Sequence, residues 1–221
     1  MDDPALGADE HRHALAGLVR LNRLSGSARL AWTSLQRVAR SVPGRPVRVL
    51  DAACGAADGT IRLAREARGS GIAATWTACD LSACALETAR DAAARNGVEL
   101  RTARVDLLRD TLPPDQDLVT CSLFLHHLDR DDAVRALASM RACAASGAIA
   151  DLDRTRTGLA LAWAASRAFS RSPIVHFDAP ASVRAAWRPD EALELAHSAG
   201  IGDARIRRAW PERWVLTWGL A

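Results

Sequence analysis

Apolar residues follow two spacings along the chain, and their alternation predicts the order of strands and helices. From residue 47 onward, short apolar runs typical of buried strands alternate with longer segments in which apolar residues recur every three or four positions, as in helices. Strand–helix alternation with short connections predicts a mostly parallel sheet with helices on both faces. The predicted strands are residues 47–51, 73–80, 98–105, 117–123 and 147–151, and the predicted helices are residues 58–68, 82–95 and 130–144.

The regions on either side of this alternation have a different pattern. Residues 11–41 carry apolar positions at helical spacing, so we expect a helical cap over residues 1–46. We expect the remainder, residues 47–221, to be the ligand-binding part of one structural domain. Within it, the pattern after residue 153 predicts helices over 154–171 and 189–199, an irregular stretch over 172–188 that could include a short helix, and a strand hairpin over 204–209 and 213–218 at the sheet edge.

Composition narrows the classes of protein that fit this pattern. The chain has 221 residues, of which 49% are hydrophobic and 25% charged, as in an ordinary globular domain. The net charge is only +3, and the arginines are spread along the chain, which argues against a nucleic-acid partner. No apolar run approaches the ~18–20 residues that a membrane span needs. The five cysteines include no C-x-x-C pair, which disfavours disulfides and structural zinc and fits a cytoplasmic location.

The segment of residues 49–59, VLDAACGAADG, follows the first predicted strand and opens a helix. Its small residues allow a ligand to approach the backbone, and this loop lies where ligands bind in open α/β sheets. A dinucleotide-binding loop would place a pyrophosphate at the helix N-terminus, where Asp58 would repel it. A carboxylate at the end of the strand, Asp51, instead suits a ligand with a positively charged group.

This segment resembles motif I of the class I S-adenosylmethionine (SAM)-dependent methyltransferases, usually written D/E-x-G-x-G-x-G. Asp51, Ala53, Gly55 and Ala57 stand at its motif positions, so two of the three glycines are alanines here. Because alanine is the smallest replacement, the resemblance still implies a bound SAM, whose ammonium and sulfonium suit an acid. It also implies a Rossmann-like, mostly parallel seven-stranded sheet with helices on both faces and an antiparallel last strand.

Two further strand ends complete the cofactor site that the resemblance implies. It assigns Asp80 to the ribose hydroxyls with Leu81 against the adenine, and Asp106 to the adenine amino group with Leu107 beside the ring. The residues alone also allow Asp80 to be a helix cap and Asp106 a solvated turn acid. The expected cofactor contacts are Asp51, Ala53, Cys54, Gly55, Asp58, Asp80, Leu81, Asp106, Leu107 and Ser122.

Residues 117–128, DLVTCSLFLHHL, resemble the motif IV strand of small-molecule methyltransferases, including those of quinone biosynthesis. In that family the end of the strand lies beside the sulfonium. Methyltransferases that act on amino groups of nucleic-acid bases typically carry Asn/Asp-Pro-Pro-aromatic there, whereas this chain has CSLF at residues 121–124. The expected acceptor is therefore a small molecule.

His126 and His127 follow this strand as candidate catalytic bases. A phenolic acceptor, with a pKa of ~10, must lose its proton, and a histidine that titrates near neutrality is a suitable base. His127 is the closer match to the recurring histidine of the family. The alternative is that one of the two caps a helix or packs under the cofactor. Asp151 and Asp153 could suggest a metal site, but the resemblance implies no metal.

Residues 122–128 and 182–187 are similar to a bacterial subgroup of short methyltransferases often encoded near type III polyketide synthases. That similarity implies a phenolic or polyketide-derived acceptor. In this fold the substrate is covered by N-terminal helices and by the segment between the fifth and sixth strands. The substrate-binding candidates there are Asn22, Arg23, His176 and Arg184.

The sequence thus predicts an enzyme that moves a methyl group from SAM to a hydroxyl group and releases S-adenosylhomocysteine (SAH), as a monomer or homodimer. Two alternatives stay open. The first is a SAM-binding protein without methyl transfer, since altered motif I glycines are what a degenerate site would show. The second is a nicotinamide-dependent oxidoreductase, although a chain without Tyr or Lys has no Tyr-x-x-x-Lys pair.

Overall fold

The structure is a computed structural model that describes residues 30–170 and 172–220. Most of the helical cap expected over residues 1–46 lies outside the described residues, and so do the substrate candidates Asn22 and Arg23. The last part of that region forms helix α1 (Trp32–Ser41), which ends shortly before the first strand.

The described strands form one mixed sheet, as the resemblance implies. They are β1 (Val47–Ala52), β2 (Ala74–Asp80), β3 (Arg101–Arg104), β4 (Gln116–Ser122), β5 (Ala144–Leu152), β6 (Arg205–Ala209) and β7 (Arg213–Trp218). Their order across the sheet is β3-β2-β1-β4-β5-β7-β6. All neighbours from β3 to β5 are parallel, and β7 runs antiparallel to both β5 and β6. The chain order reverses between β1 and β4, and ligands bind at such a reversal, beyond the carboxyl ends of the strands.

Helices cover both faces of the sheet because side chains along each strand point alternately to opposite faces. After α1 they are α2 (Asp58–Gly69), α3 (Ala83–Arg95), α4 (Arg130–Cys143), α5 (Arg156–Phe169), α6 (Pro173–Ala185) and α7 (Pro189–Ser198). On β1, Val49 packs with α1 and α2 on one face. Leu50 packs with α4 and α7 on the other face. The fold is therefore a three-layer α/β/α sandwich.

The predicted elements that lie within the described residues are confirmed with small shifts, except in two places. The stretch expected to be irregular contains the 13-residue helix α6. Pro173 opens this helix where no N–H donor is needed, and the internal Pro180 is buried, so packing outweighs its poor helix propensity. The strand expected over 98–105 is limited to β3, because the N–H of Val98 donates to Ala93 O and closes the end of α3.

Candidate active site

The loop after β1 adopts the backbone conformation that its motif resemblance requires. Ala53, Gly55 and Ala57 have φ angles of 52°, 54° and 54°, so all three motif glycine positions are left-handed. An L-residue pays roughly 1–2 kcal/mol for this conformation, and the chain accepts that cost at two alanines. The methyl group of Ala57 is buried against Ala78 and Ala89. Ala53 packs against the main core cluster, the large group of buried apolar residues that includes Leu50 and Trp214. A Cβ at Gly55 would meet no atom within 4 Å, so the alanines do not fill the loop.

The carboxyl group of Asp51 is buried at the end of β1 and points to two hydroxyl groups. Thr60 Oγ1 donates to Asp51 Oδ2, and Thr120 Oγ1 donates to Asp51 Oδ1 at 3.0 Å. Burial raises the pKa of Asp51 to about 6, although both hydroxyl bonds act to lower it. Asp51 therefore links β1 to α2 and β4 next to the loop that follows β1.

Asp80 links the end of β2 to the motif I loop. Gly55 N–H donates to Asp80 Oδ2 and Ser82 N–H donates to Asp80 Oδ1, both at 2.8 Å. Ser82 is itself the N-cap of α3, accepting from Ala85 N–H at 3.2 Å. Since a carboxylate offers about four acceptor positions, Asp80 keeps acceptor capacity for a ligand. Beside it, the side chain of Leu81 is 56% exposed, which leaves an apolar surface next to the carboxylate.

The acid after β3 makes mainly local bonds. Asp106 Oδ1 accepts from Leu108 N–H at 3.0 Å, and Asp106 Oδ2 lies 3.6 Å from Arg109 Nε. Leu107 is buried. These bonds are those of a turn acid, and the expected adenine contact of Asp106 stays a prediction.

His126 and Asp151 form a buried pair between the ends of β4 and β5. His126 lies in a single 3-10 turn, Leu125–His127, that follows β4. Its Nδ1 lies 2.7 Å from Asp151 Oδ1, and its backbone N–H donates to Asp151 Oδ2 at 3.2 Å. Because an ionised carboxylate only accepts, Nδ1 carries the proton, and Nε2 is the atom that can act as a base when the ring is neutral. Within the part of the chain that the structure describes, Nε2 has no hydrogen-bond partner.

Electrostatics favour the ionised form of Asp151. Burial acts to raise its pKa, but the charge and hydrogen bond of His126, with backbone bonds from Leu152 and His126, hold the pKa below its ordinary value. The guanidinium of Arg213 is buried on β7; burial lowers its pKa to about 10, and the charge of Asp151 acts in the opposite direction. The negative charge of Asp151 therefore acts on a buried cation of the sheet.

The two adjacent histidines differ in burial. His127 is exposed, and its ring centroid lies 4.1 Å from that of His126. The sequence favours His127 as the family match, whereas His126 is buried and has a buried carboxylate partner. Sequence reasoning considered Asp151 only as a metal ligand. The signal that could have found its role is the parallel pairing of β4 with β5, which brings Ser122 opposite Ala150 and so places both strand ends together.

The remaining cofactor candidates lie along the same edge. Ala52 pairs with Cys121 across β1 and β4, so the motif I loop and Ser122 leave neighbouring strands side by side. Ser122 is exposed, while Cys54 is half-buried, and burial raises the pKa of its thiol well above the ordinary value. Asp58 is half-buried at the start of α2.

The two described substrate candidates lie on α6, which contacts the turn that carries His126. His176 is half-buried, and its Nε2 lies 2.8 Å from Ser170 O. Arg184 is exposed in the last turn of the helix. The geometry brings neither side chain to His126, so their role in substrate binding stays a prediction.

Residues 49–147 match the family model of a methyltransferase domain. The matched part covers just under half of the 221 residues and includes Asp51, Asp80 and His126. Asp151, the partner of His126, follows shortly after it.

Solved methyltransferase structures share this fold. The chain is similar to a Nostoc punctiforme PCC 73102 protein proposed to be an O-methyltransferase (20% identity over 86% of this chain and 56% of that one, TM-score 0.58). It is also similar to apo SibL, an S-adenosylmethionine-dependent methyltransferase (20% identity over 85% of this chain and 55% of that one, TM-score 0.59). A third similar structure is that of the plantazolicin methyltransferase BpumL, in complex with a triazolic desmethylPZN analogue and SAH (12% identity over 92% of this chain and 88% of that one, TM-score 0.68).

These similarities support the α/β fold of the chain. The chain spans little more than half the length of the first two structures, at 56% and 55%. It matches no curated protein sequence. Among the described residues, no three His, Cys, Asp or Glu side chains are grouped so that they could hold a metal ion. No helix in residues 30–170 and 172–220 is long and apolar enough to cross a membrane.

Proposed function

We propose that this chain is a SAM-dependent methyltransferase that transfers a methyl group to a hydroxyl group of a small, phenolic or polyketide-derived acceptor, with SAH as the second product. The observation that carries the proposal is the buried pair of His126 and Asp151 next to a methyltransferase motif I loop. Small-molecule chemistry is supported by BpumL, which was crystallised with a desmethylPZN analogue and SAH.

The residues at the carboxyl edge fit SAM. The loop after β1 keeps all three left-handed positions, and the space above Gly55 is open. Asp80 would hold the ribose hydroxyls through its remaining acceptor positions, and the exposed side chain of Leu81 would cover the adenine. When bound, SAM supplies an electrophilic methyl group. Asp51 has a supporting role, since both of its carboxyl oxygens accept hydrogen bonds from threonine hydroxyls.

In this proposal His126 removes the proton of the acceptor hydroxyl. Asp151 fixes the tautomer by accepting Nδ1–H, so the lone pair of Nε2 is the base. The imidazolium that forms is stabilised by the ionised Asp151, as in other sites where a carboxylate orients a catalytic histidine. A base of this kind contributes roughly 10²- to 10⁴-fold to the rate.

The test compares His126→Gln with His127→Gln as its matched control. Purified protein is incubated with SAM and a panel of phenolic acceptors, and SAH formation is measured. We expect His126→Gln to lower turnover by roughly 10²- to 10⁴-fold and His127→Gln to stay close to the unmodified protein. Both should retain SAH affinity. Normal turnover by His126→Gln would contradict the assignment, and SAH binding without turnover of any acceptor would favour a non-catalytic SAM-binding protein.

A further inference from the structure

Trp187 lies between α6 and α7 and contacts the turn that carries His126. Its indole Nε1–H donates to the carbonyl oxygen of Leu125 at 3.0 Å. Leu125 is the first residue of the turn and is fully buried. The ring of Trp187 is half-buried and packs against the main core cluster. A single tryptophan thus holds the residue immediately before His126.

Trp187 is itself held by β7. The indole Nε1–H of Trp214 donates to the carbonyl oxygen of Trp187 at 2.8 Å. Trp214 is fully buried, and in the antiparallel pairing of β5 with β7 it stands opposite Asp151. Asp151 in turn accepts both hydrogen bonds of His126.

These contacts close a circuit around the imidazole. It runs from His126 to Asp151, across the sheet to Trp214, through Trp187 to Leu125, and back to His126 along the chain. The turn has few bonds of its own. His127 N–H donates to Phe124 O at 3.0 Å and Leu128 N–H to Leu125 O at 3.1 Å. Because a single 3-10 turn is weak, its orientation depends on such external contacts.

We propose that Trp187 is a positioning residue that fixes the orientation of His126 toward Asp151. The assignment of His126 as a base rests on the proposed function, but its orientation is a property of the chain without ligand. Asp151 on β5 and His127 on the turn itself lie beside this imidazole, and the charge of Asp151 also acts on the buried Arg213 on β7.

The test replaces Trp187 with phenylalanine, which removes the N–H donor and keeps an aromatic ring. The readout is the NMR signal of the His126 Nδ1-bound proton in the unliganded protein at one fixed pH, assigned by its loss in His126→Gln. We expect Trp187→Phe to broaden or abolish this signal. The matched control is Trp76→Phe, a buried tryptophan in the cluster on the opposite face of the sheet, which should leave the signal unchanged.

A signal in Trp187→Phe identical to that of the unmodified protein would overturn the proposal, and so would an equal loss in Trp76→Phe. If Trp187→Phe does not fold, Trp214→Phe removes the other bond of the circuit and carries the same expectation. With an active acceptor, Trp187→Phe should lower kcat roughly five- to tenfold, about the effect of one lost hydrogen bond, without changing SAH affinity. Absence of any methyl transfer would refute the proposed function, while the NMR comparison would still decide the role of Trp187.

Discussion

Asp51 and Asp151 are buried carboxyl groups at the carboxyl ends of parallel strands, yet their pKa values move in opposite directions. Asp51, on β1, faces the hydroxyl groups of Thr60 and Thr120, and burial raises its pKa to about 6. For Asp151, on β5, burial also acts to raise the pKa, but the charge and hydrogen bonds of His126 hold it below its ordinary value. The two groups have similar burial and differ in the charge of their partners.

This difference shows what a buried carboxylate needs in order to stay ionised. Neutral hydroxyl donors offset only part of the cost of removing the charge from water, whereas a partner that can carry positive charge offsets more of it. The carboxyl ends of β1 and β5 therefore suit different tasks. Asp51 supports the loop of the proposed cofactor site, and Asp151 keeps a negative charge next to a histidine that gains a proton in the proposed reaction.

The largest expected effect comes from removing the charge of Asp151. In Asp151→Asn the buried His126 loses its carboxylate partner and the buried Arg213 loses a nearby negative charge, so the free energy of unfolding should fall by about 3–5 kcal/mol. Urea unfolding at neutral pH measures it. The matched control is Asp153→Asn, because the buried Asp153 pairs with Arg208, whose side chain is 77% exposed. Equal stability of Asp151→Asn and the unmodified protein would contradict this comparison.

The two carboxyl groups should also respond oppositely to pH. Between the ordinary pKa of 3.8 and about 6, the folded state keeps a proton on Asp51 that the unfolded state releases, so the contribution of Asp51 to stability falls as pH rises. The difference in unfolding free energy between the unmodified protein and Asp51→Asn should fall by up to about 3 kcal/mol from pH 4 to 7. For Asp151, with its lowered pKa, the contribution is present above its ordinary pKa and is lost as pH falls.

Urea unfolding at a series of pH values measures both differences. If the difference in unfolding free energy between the unmodified protein and Asp51→Asn rises with pH, the partners of Asp51 stabilise its charged form. The predicted opposite pH dependence of Asp51 and Asp151 would then be wrong.

A smaller effect, on SAH affinity, is expected at Asp80, which lies at the end of β2 in the proposed cofactor site. Asp80→Ala should weaken SAH binding by about 1–3 kcal/mol, or roughly 5- to 150-fold, through lost hydrogen bonds to the ribose. Calorimetric titration measures the Kd. Asp91→Ala, at an exposed acid on α3, is the control and should bind SAH like the unmodified protein. An unchanged Kd in Asp80→Ala would remove Asp80 from the cofactor site.

The smallest effect concerns the strained alanines of the loop. Ala53→Gly should raise the free energy of unfolding by about 0.5–1 kcal/mol, because glycine relieves the left-handed φ of 52° but loses more chain entropy on folding. Ala57→Gly should gain less, because the methyl group of Ala57 is fully buried. Thermal unfolding compares the two. A loss of stability in Ala53→Gly would mean that its methyl group contributes more than its backbone strain costs.

Features that depend on local sequence were predicted well. The helix that begins next to Ser82, the strand that ends at Asp80 and the hairpin of β6 and β7 follow from residue patterns that are close in the chain. The pair of His126 and Asp151 was not predicted, because it depends on which strands become neighbours in the sheet. Likewise, adjacent histidines look equivalent in sequence, and only the packing of the turn buries His126 and exposes His127.

The central claim is that the carboxyl edge of this sheet binds SAM, and calorimetric titration with SAH tests it most directly. A parallel titration with NAD(H) tests the oxidoreductase alternative. We expect one SAH per chain with a micromolar Kd and no binding of NAD(H). A folded protein that does not bind SAH would contradict the account.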